Sequence, residues 1–526
     1  MKTLPASPDL AHLKKQAKVL LRDALAGDPL ALRRFVETLP AARGLAAAAL
    51  ADYALKLHDA QSVVAREFGF ASWSELKRLV EWKRSEAAKR IETWLSWVLD
   101  GNAGIRGLAI RMLREEPGLL AGDPWLACAI GDAPRIRSAL AADPDWVHRP
   151  GGPSGMTPLI AVTHSRLILE DAFTGGLLAS AELLLRAGAD PNATWIDPRS
   201  PDSPLSALYG AAGRTHHPSM MQLLLDAGAK TDDGESLYHS VESRDLACTR
   251  LLLEAGARVT RTNAIGRVLD FDRLDGLLLL LSHGGDASER PWIHHAILRG
   301  RSLAHIRALL DHGADPHAVD AQGVSLFRWA LIHGREDVVR LLREKGVDEP
   351  LSEEDAFVAA CTQGDETSAR RLLDRVPDIL ARLSPVQLEV MPQLADTGEL
   401  DAVRTMLTLG WPREVKTAWD TTALNLAIFR GDAAMTRLLL DHGADWRTRH
   451  GFGDISLGTL SFASRFGETD DAAPRDYVGC AEALVAAGVP LTEFERYGLP
   501  EDVTAFLEEC RSATGGQRAG PEEPTA

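Results

Sequence analysis

Apolar residues recur at helical spacing along most of this chain, in short paired runs punctuated by glycine. The stretch 323–348, GVSLFRWALIHGREDVVRLLREKGVD, shows one unit: a glycine turn, a short apolar helix, Gly334, a second helix, and a closing turn at Gly346. The second-helix-plus-turn pattern returns as LLLRAGADPN (183–192), LLLDAGA (223–229), LLLEAGA (251–257), LLLSHGGD (279–286), LLDHGADP (309–316), MLTLGWP (406–412), LLLDHGAD (438–445) and LVAAGVP (484–490). Two looser copies, SALAADPDWV (138–147) and RLLDRVPDI (371–379), carry proline where the others carry glycine. Each helix pair leaves one face apolar, so neighbouring pairs must stack to bury it, and glycine at the helix end takes a left-handed cap.

A different pattern precedes the repeats. Residues 7–25 predict a helix with Ser7 as N-cap, Pro8 in its first turn and Asp9 at the positive end of its dipole. Leu10, Leu13, Ala17, Leu20, Leu21 and Ala24 define its buried face. Asp28 caps a second helix over 29–39, an alanine-rich helix is expected over 45–68, and Ser72-Trp73-Ser74-Glu75 is a capping box opening a fourth. Phe35, Phe68, Phe70 and Trp73 are the expected fillers of their common core. Residues 83–122 predict connector helices, with Ile91, Trp94, Leu95 and Val98 on one stripe and Leu108, Ile110 and Leu113 on another, docking the front module onto the repeat array.

The repeats resemble ankyrin repeats. Their turn glycines, Gly188, Gly228, Gly256, Gly284, Gly313, Gly346, Gly410, Gly443 and Gly488, fall mostly near multiples of a period of about 33 residues. The TPLHxA-type helix start is plain at Thr157-Pro158-Leu159 and recognisable at Trp292-Ile293-His294-His295-Ala296 and Thr422-Ala423-Leu424-Asn425-Leu426-Ala427. The opening SPDLAHLKKQAKVLLRDALAGDP, with LHDAQSVVAREFGFASWSELKRLV, resembles the N-terminal helical module that fronts many bacterial ankyrin-repeat proteins, a resemblance that implies architecture and no assigned activity. The expected fold is all-α: a helical module at 1–82, connector helices at 83–122, a solenoid of about eleven helix pairs at 123–495, and a capping helix with a Gly/Pro/Glu-rich tail at 496–526. Two insertions break the pattern, at 161–180 and 464–477. Each admits two roles, a projection on the binding face or a surface loop of little thermodynamic cost.

Composition narrows the function classes. The net charge of −16 disfavours broad binding to nucleic acid or anionic membranes. Five scattered cysteines without CxxC spacing suit a reducing compartment. There is no apolar signal core at the start, and the longest leucine run, 277–281, is far short of the roughly 20 residues that span a bilayer. The expected location is cytoplasmic.

The common mechanistic motifs HExxH, CxxC, GxSxG and GxxxxGK[ST] are absent, and neither a cofactor nor a metal is expected. Twelve of sixteen histidines lie between His148 and His333, but the adjacent pairs His216-His217 and His294-His295 point about 100° apart on a helix and do not chelate one ion together. The ankyrin resemblance implies that His294 bonds backbone between adjacent repeats. The glycine doublets Gly151-Gly152 and Gly175-Gly176 are read as turns.

Phasing the first helices places Arg267, His295 and Trp329 on a ladder facing the concave groove. His239 extends it to a fourth repeat, and Glu242, Asp270, Arg299 and His333 flank it. With packed helices about 10 Å apart the ladder spans roughly 30 Å, the scale of an interface patch. Trp329 either serves as an interface anchor or packs on a neighbouring repeat. The leading expectation is a non-enzymatic scaffold that binds a protein partner along this groove. The competing one is an enzyme or small-molecule binder using Glu242, Asp270, His239 and His295 as acid and base groups. A third assigns recognition to the front module.

Overall fold

Second helices throughout the repeats end on glycines that only a left-handed backbone satisfies: Gly188, Gly228, Gly256, Gly284, Gly313, Gly346, Gly410, Gly443 and Gly488 all have φ between 84° and 99°. At the first of these, Gly188 N–H donates to Leu185 O and Ala189 N–H to Leu184 O, both 3.0 Å, which closes the helix and turns the chain. The two looser copies end differently. Asp143 takes extended backbone ahead of Pro144, and Val376, at φ −129° and ψ 81°, leaves the helical region ahead of Pro377.

This computed structural model describes residues 2–5, 7–42, 55–120, 122–198, 201–466 and 475–515. The architecture is all-α, and within each of its two units helix pairs lie side by side, for the most part first helix against first helix and second against second. By internal contacts the chain divides into two units, Met1–Gly285 and Asp286–Ala526. Among the described residues five repeat pairs fall in the former and six in the latter, in line with the eleven expected.

In the former unit the front helices are Leu10–Leu25, Pro29–Thr38, Leu57–Glu67 and Trp73–Arg84. The first starts later than the sequence implies. Asp9, not Ser7, is the N-cap, because its carboxylate accepts from both Ala11 N–H and His12 N–H. Most of the N-terminal half of the alanine-rich helix expected over 45–68 lies outside the described residues. Ser72 accepts from Glu75 N–H at 3.2 Å, while the Glu75 carboxylate takes Ala71 N–H rather than its box partner. Phe35, Phe68, Phe70 and Trp73 are buried together with Leu76 and Leu79.

The connector helices are Ala87–Asp100 and Ala103–Glu115. Trp94 is fully buried and donates its indole N–H to Ala109 O at 3.1 Å. Two ion pairs tie these helices to the repeats: Arg106 to Glu170 at 3.0 Å and Arg214 to Asp100 at 2.7 Å.

Three features depart from expectation. The insertion after Ala161 is folded, forming a 3-10 turn at Arg166–Leu169 and then a helix, Asp171–Arg186, that begins early and runs straight into the repeat's second helix. Gly175 and Gly176 therefore sit inside a helix rather than a turn. A Cβ on Gly176 would stand 2.7 Å from Gly131 O, so glycine there lets two backbones touch. A short antiparallel pair, Thr194–Ile196 with Pro204–Ser206, was not foreseen; Trp195 pairs with Leu205 and anchors its indole N–H on Ser154 O at 2.9 Å.

In the latter unit Ser456–Phe466 and Tyr477–Ala486 flank the second insertion, of which 467–474 lie outside the described residues. The terminal helix is Glu501–Gly515, with Val503 and Leu507 buried. Among the described residues no helix is long and apolar enough to cross a membrane.

Candidate functional site

The ladder residues share one structural register. His239, Arg267, His295 and Trp329 are each the fourth residue past the N-cap of their first helix, the caps being Glu235, Asn263, Pro291 and Ser325. What each then does depends on its own surroundings.

In Met1–Gly285, His239 and Arg267 converge on one carboxylate. His239 Nδ1 lies 2.8 Å from Glu242 Oε1, and Arg267 donates to the same oxygen from Nε at 2.8 Å and from Nη2 at 2.5 Å. The other ring nitrogen of His239 faces Glu235 at 3.3 Å. Burial acts to raise the Glu242 pKa, but hydrogen bonds and charge from His239 and Arg267 outweigh it and hold the carboxyl below the usual range. Glu242 is thus an anchored carboxylate, and its side chain remains 21% exposed beside the 26% of Arg267.

Aromatic rings surround this ion cluster. The Arg267 guanidinium lies over Tyr238 at 5.1 Å and over Phe271 at 4.6 Å. Tyr209 meets His239 edge-on at 5.3 Å, and the His164 ring stands 6.0 Å beyond Tyr209. Burial, joined by the nearby Arg214 charge, keeps His164 well below the ordinary histidine value and therefore neutral. Glycine makes this packing possible: a Cβ on Gly210 would stand 2.6 Å from His164 Nδ1, and one on Gly213 would stand 2.7 Å from His239 Cβ. These glycines sit in a one-turn π-helix, Gly210–Arg214. Asp270 is part-buried on the helix that carries Arg267.

Sequence phasing missed Tyr209, Tyr238 and Phe271. A signal existed, since Tyr209 and Tyr238 both stand three residues past their N-caps, Ser206 and Glu235, one place ahead of the ladder.

In Asp286–Ala526 the same register gives a buried stack. Trp329 is 9% exposed, with its ring 5.7 Å from His294 and 4.5 Å from His333. Its indole N–H donates to His294 O at 3.1 Å. His333 contacts Trp329 O through Nδ1 at 2.8 Å and Gln393 through Nε2 at 2.7 Å, and burial lowers its pKa. His294 Nε2 reaches Val324 O at 3.2 Å, the inter-repeat backbone bond that the resemblance implies. His295 is part-buried, and Arg299 pairs with Asp396 at 3.2 Å.

Among the described residues no group of three or more His, Cys, Asp or Glu is placed to hold a metal ion. Cys128, Cys248, Cys361 and Cys480 are buried, and burial pushes their thiol pKa values up, to about 12 for Cys361.

Comparison with known proteins bears on the repeats. The family described as Ankyrin repeats (many copies) matches residues 293–343. This segment is ankyrin-like in sequence. Solved structures similar to parts of the chain include two ankyrin-repeat domains. The human ASB11 ankyrin repeat domain is 22% identical over 43% of this chain and 98% of its own, with a TM-score of 0.21. The ankyrin repeat domain of Bcl-3, a member of the IkappaB family, is 18% identical over 37% of this chain and 92% of its own, with a TM-score of 0.19. No curated protein matches the chain.

Proposed function

We propose that the protein is a non-enzymatic ankyrin-repeat scaffold whose first-helix face binds a protein partner, with the main contact patch in Met1–Gly285. One observation carries this reading: Tyr209, Tyr238, His239, Glu242, Arg267 and Phe271 come from consecutive repeats and form one half-exposed patch of aromatic rings around an anchored ion pair. Aromatic residues and arginine are the types that dominate binding hot spots. The ion pair is held from several sides, so the patch is ordered before a partner arrives and loses little entropy on docking. His295 and Arg299, four residues apart in the second unit, are each part-exposed.

The helical module at 1–82, its likeness to those of bacterial ankyrin-repeat proteins and a cytoplasmic location complete the proposal. Affinity purification with the full chain, beside Tyr238→Ala and Arg267→Ala variants that remain folded, tests it. A partner captured by the native chain and lost by both variants supports the reading. A partner retained equally by both removes the patch from recognition.

A further inference from the structure

Charge is divided unevenly along this acidic chain. Residues 1–84, up to the end of the fourth front helix, carry 14 lysines and arginines against 9 aspartates and glutamates, whereas the rest of the chain carries 44 against 65. The first helix, Leu10–Leu25, concentrates the excess. Leu13, Ala17, Leu20 and Ala24 form its buried stripe. Its outer side presents Lys14, Lys15 and Lys18, all exposed and, among the described residues, meeting no carboxylate.

Beside that helix lies a hollow of about 510 Å³ whose lining includes His12, Lys15, Val19, Lys2, Arg34 and Phe68. His12, Lys15 and Val19 stand three and four residues apart, so they share one stripe about 10 Å long. Lys2 and Arg34 come from outside the helix and meet on one carboxylate. Lys2 Nζ donates to Glu67 Oε2 at 2.6 Å, and Arg34 donates from Nε at 2.6 Å and from Nη2 at 2.8 Å. Lys2 N–H also donates to Glu67 O at 2.7 Å, which pins its segment in place. Two cations on one carboxylate leave a positive charge over. The side chains of Lys2 and Arg34 are 51% and 35% exposed and that of Glu67 only 13%, so the cations are what solvent meets. Val19, 37% exposed, is an apolar spot among them.

We propose that this face of the front module docks a short acidic segment of a partner protein, whose carboxylates pair with Lys15, Lys2 and Arg34 while an apolar side chain between them covers Val19. Charge complementarity selects the anion, and the exposed valine selects a peptide over a phosphate chain. A long polyanion, whether nucleic acid or anionic bilayer, also meets the field of the acidic remainder. A short segment is screened from charges more than about 10 Å away at ordinary salt. The proposal does not rest on the patch around Arg267.

Two short fluorescent peptides are the probes, one with glutamates flanking leucines and its twin with glutamine at every glutamate. Each is titrated into the full chain and followed by anisotropy. At low salt the acidic peptide is expected to bind saturably and about tenfold more tightly than its twin. Near 1 M salt, where the screening length is about 3 Å, most of that difference is lost. Lys15→Glu lowers the affinity for the acidic peptide about fivefold and Lys15→Gln about twofold. Val19→Ser weakens both peptides. Lys345→Glu, the same charge change at an exposed lysine of the other unit, leaves both as they are. Thermal melting checks that each variant keeps its fold. Equal affinity for the two peptides, acidic-peptide binding that survives both Lys15 changes, or an equal loss on Lys345→Glu would each overturn the proposal. So would phosphatidylserine vesicles or an oligothymidine strand that bind the same face more tightly than the acidic peptide and lose that binding on Lys15→Glu.

Discussion

Arg267 and Trp329 hold the same place in their helices, four residues past the cap, yet one dresses a surface and the other fills an interior. Arg267 is held half-exposed by Glu242 and by two rings it lies over. Trp329 turns back onto the first helix of the preceding repeat, where its indole N–H finds His294 O, and His333 at the end of its own helix covers its face. Register fixes the direction in which a side chain leaves the helix. Its neighbours, and the atoms it must satisfy, fix how deep it ends.

This contrast is open to direct attack. Trp329→Ala removes a buried ring and leaves His294 O without its donor. It is expected to cost about 3–5 kcal/mol in denaturant unfolding monitored for that unit. A loss no larger than that of Arg267→Ala would erase the distinction between the two sites.

Acid is the next lever. Burial is the leading cause that lowers the pKa values of His164, His216, His294 and His333 below the ordinary 6.5. The unfolded chain then binds more protons than the folded one below that value. The stability these residues contribute is complete above about pH 6.5 and falls as pH drops beneath it. The lowered carboxylates, Glu242 among them, add their loss only below their ordinary 4.5. A melting temperature that drops between pH 6.5 and pH 5 is expected, and a flat profile there would place these rings in water.

Gly210→Ala probes how tightly the surface cluster is built. The new methyl would stand 2.6 Å from His164 Nδ1 and 2.9 Å from the Thr163 carbonyl carbon. A loss of about 1–3 kcal/mol is expected. Unchanged stability would mean that the π-turn relaxes freely. Arg267→Ala is the mildest change, at about 1–2 kcal/mol, since Glu242 keeps His239 and reaches solvent. Its larger effect is expected in partner capture.

Much of the fold was legible because it rests on local chemistry repeated many times. The leucine runs and their glycine ends marked second helices, and Thr422 and Ser72 marked helix starts. Asp9 displaced Ser7 because a carboxylate that accepts two backbone N–H groups outcompetes a residue two places earlier. Gly175 and Gly176 read as a turn because the reason for Gly176, the backbone of Gly131 pressing from another repeat, is nowhere near it in sequence, while Gly175 meets nothing within 4 Å. The strand pair at 194–206 escaped notice for a similar reason, since its anchor on Ser154 is a tertiary contact. Phasing placed His239, Glu242 and Arg267 near one another, as the structure does, but passed over the rings that frame them. It could not see that Trp329 and His333 would be buried, because depth follows from packing and spacing does not encode it.

Arg106 and Arg214 are clasps whose other halves lie on opposite sides of the boundary between connector and repeat. A shortened chain that starts after residue 122 would strand Glu170 and Arg214, each robbed of its counter-charge. One that starts at residue 87 would keep both clasps closed. The repeats of this unit therefore have a natural starting point some way upstream of where their own periodicity begins.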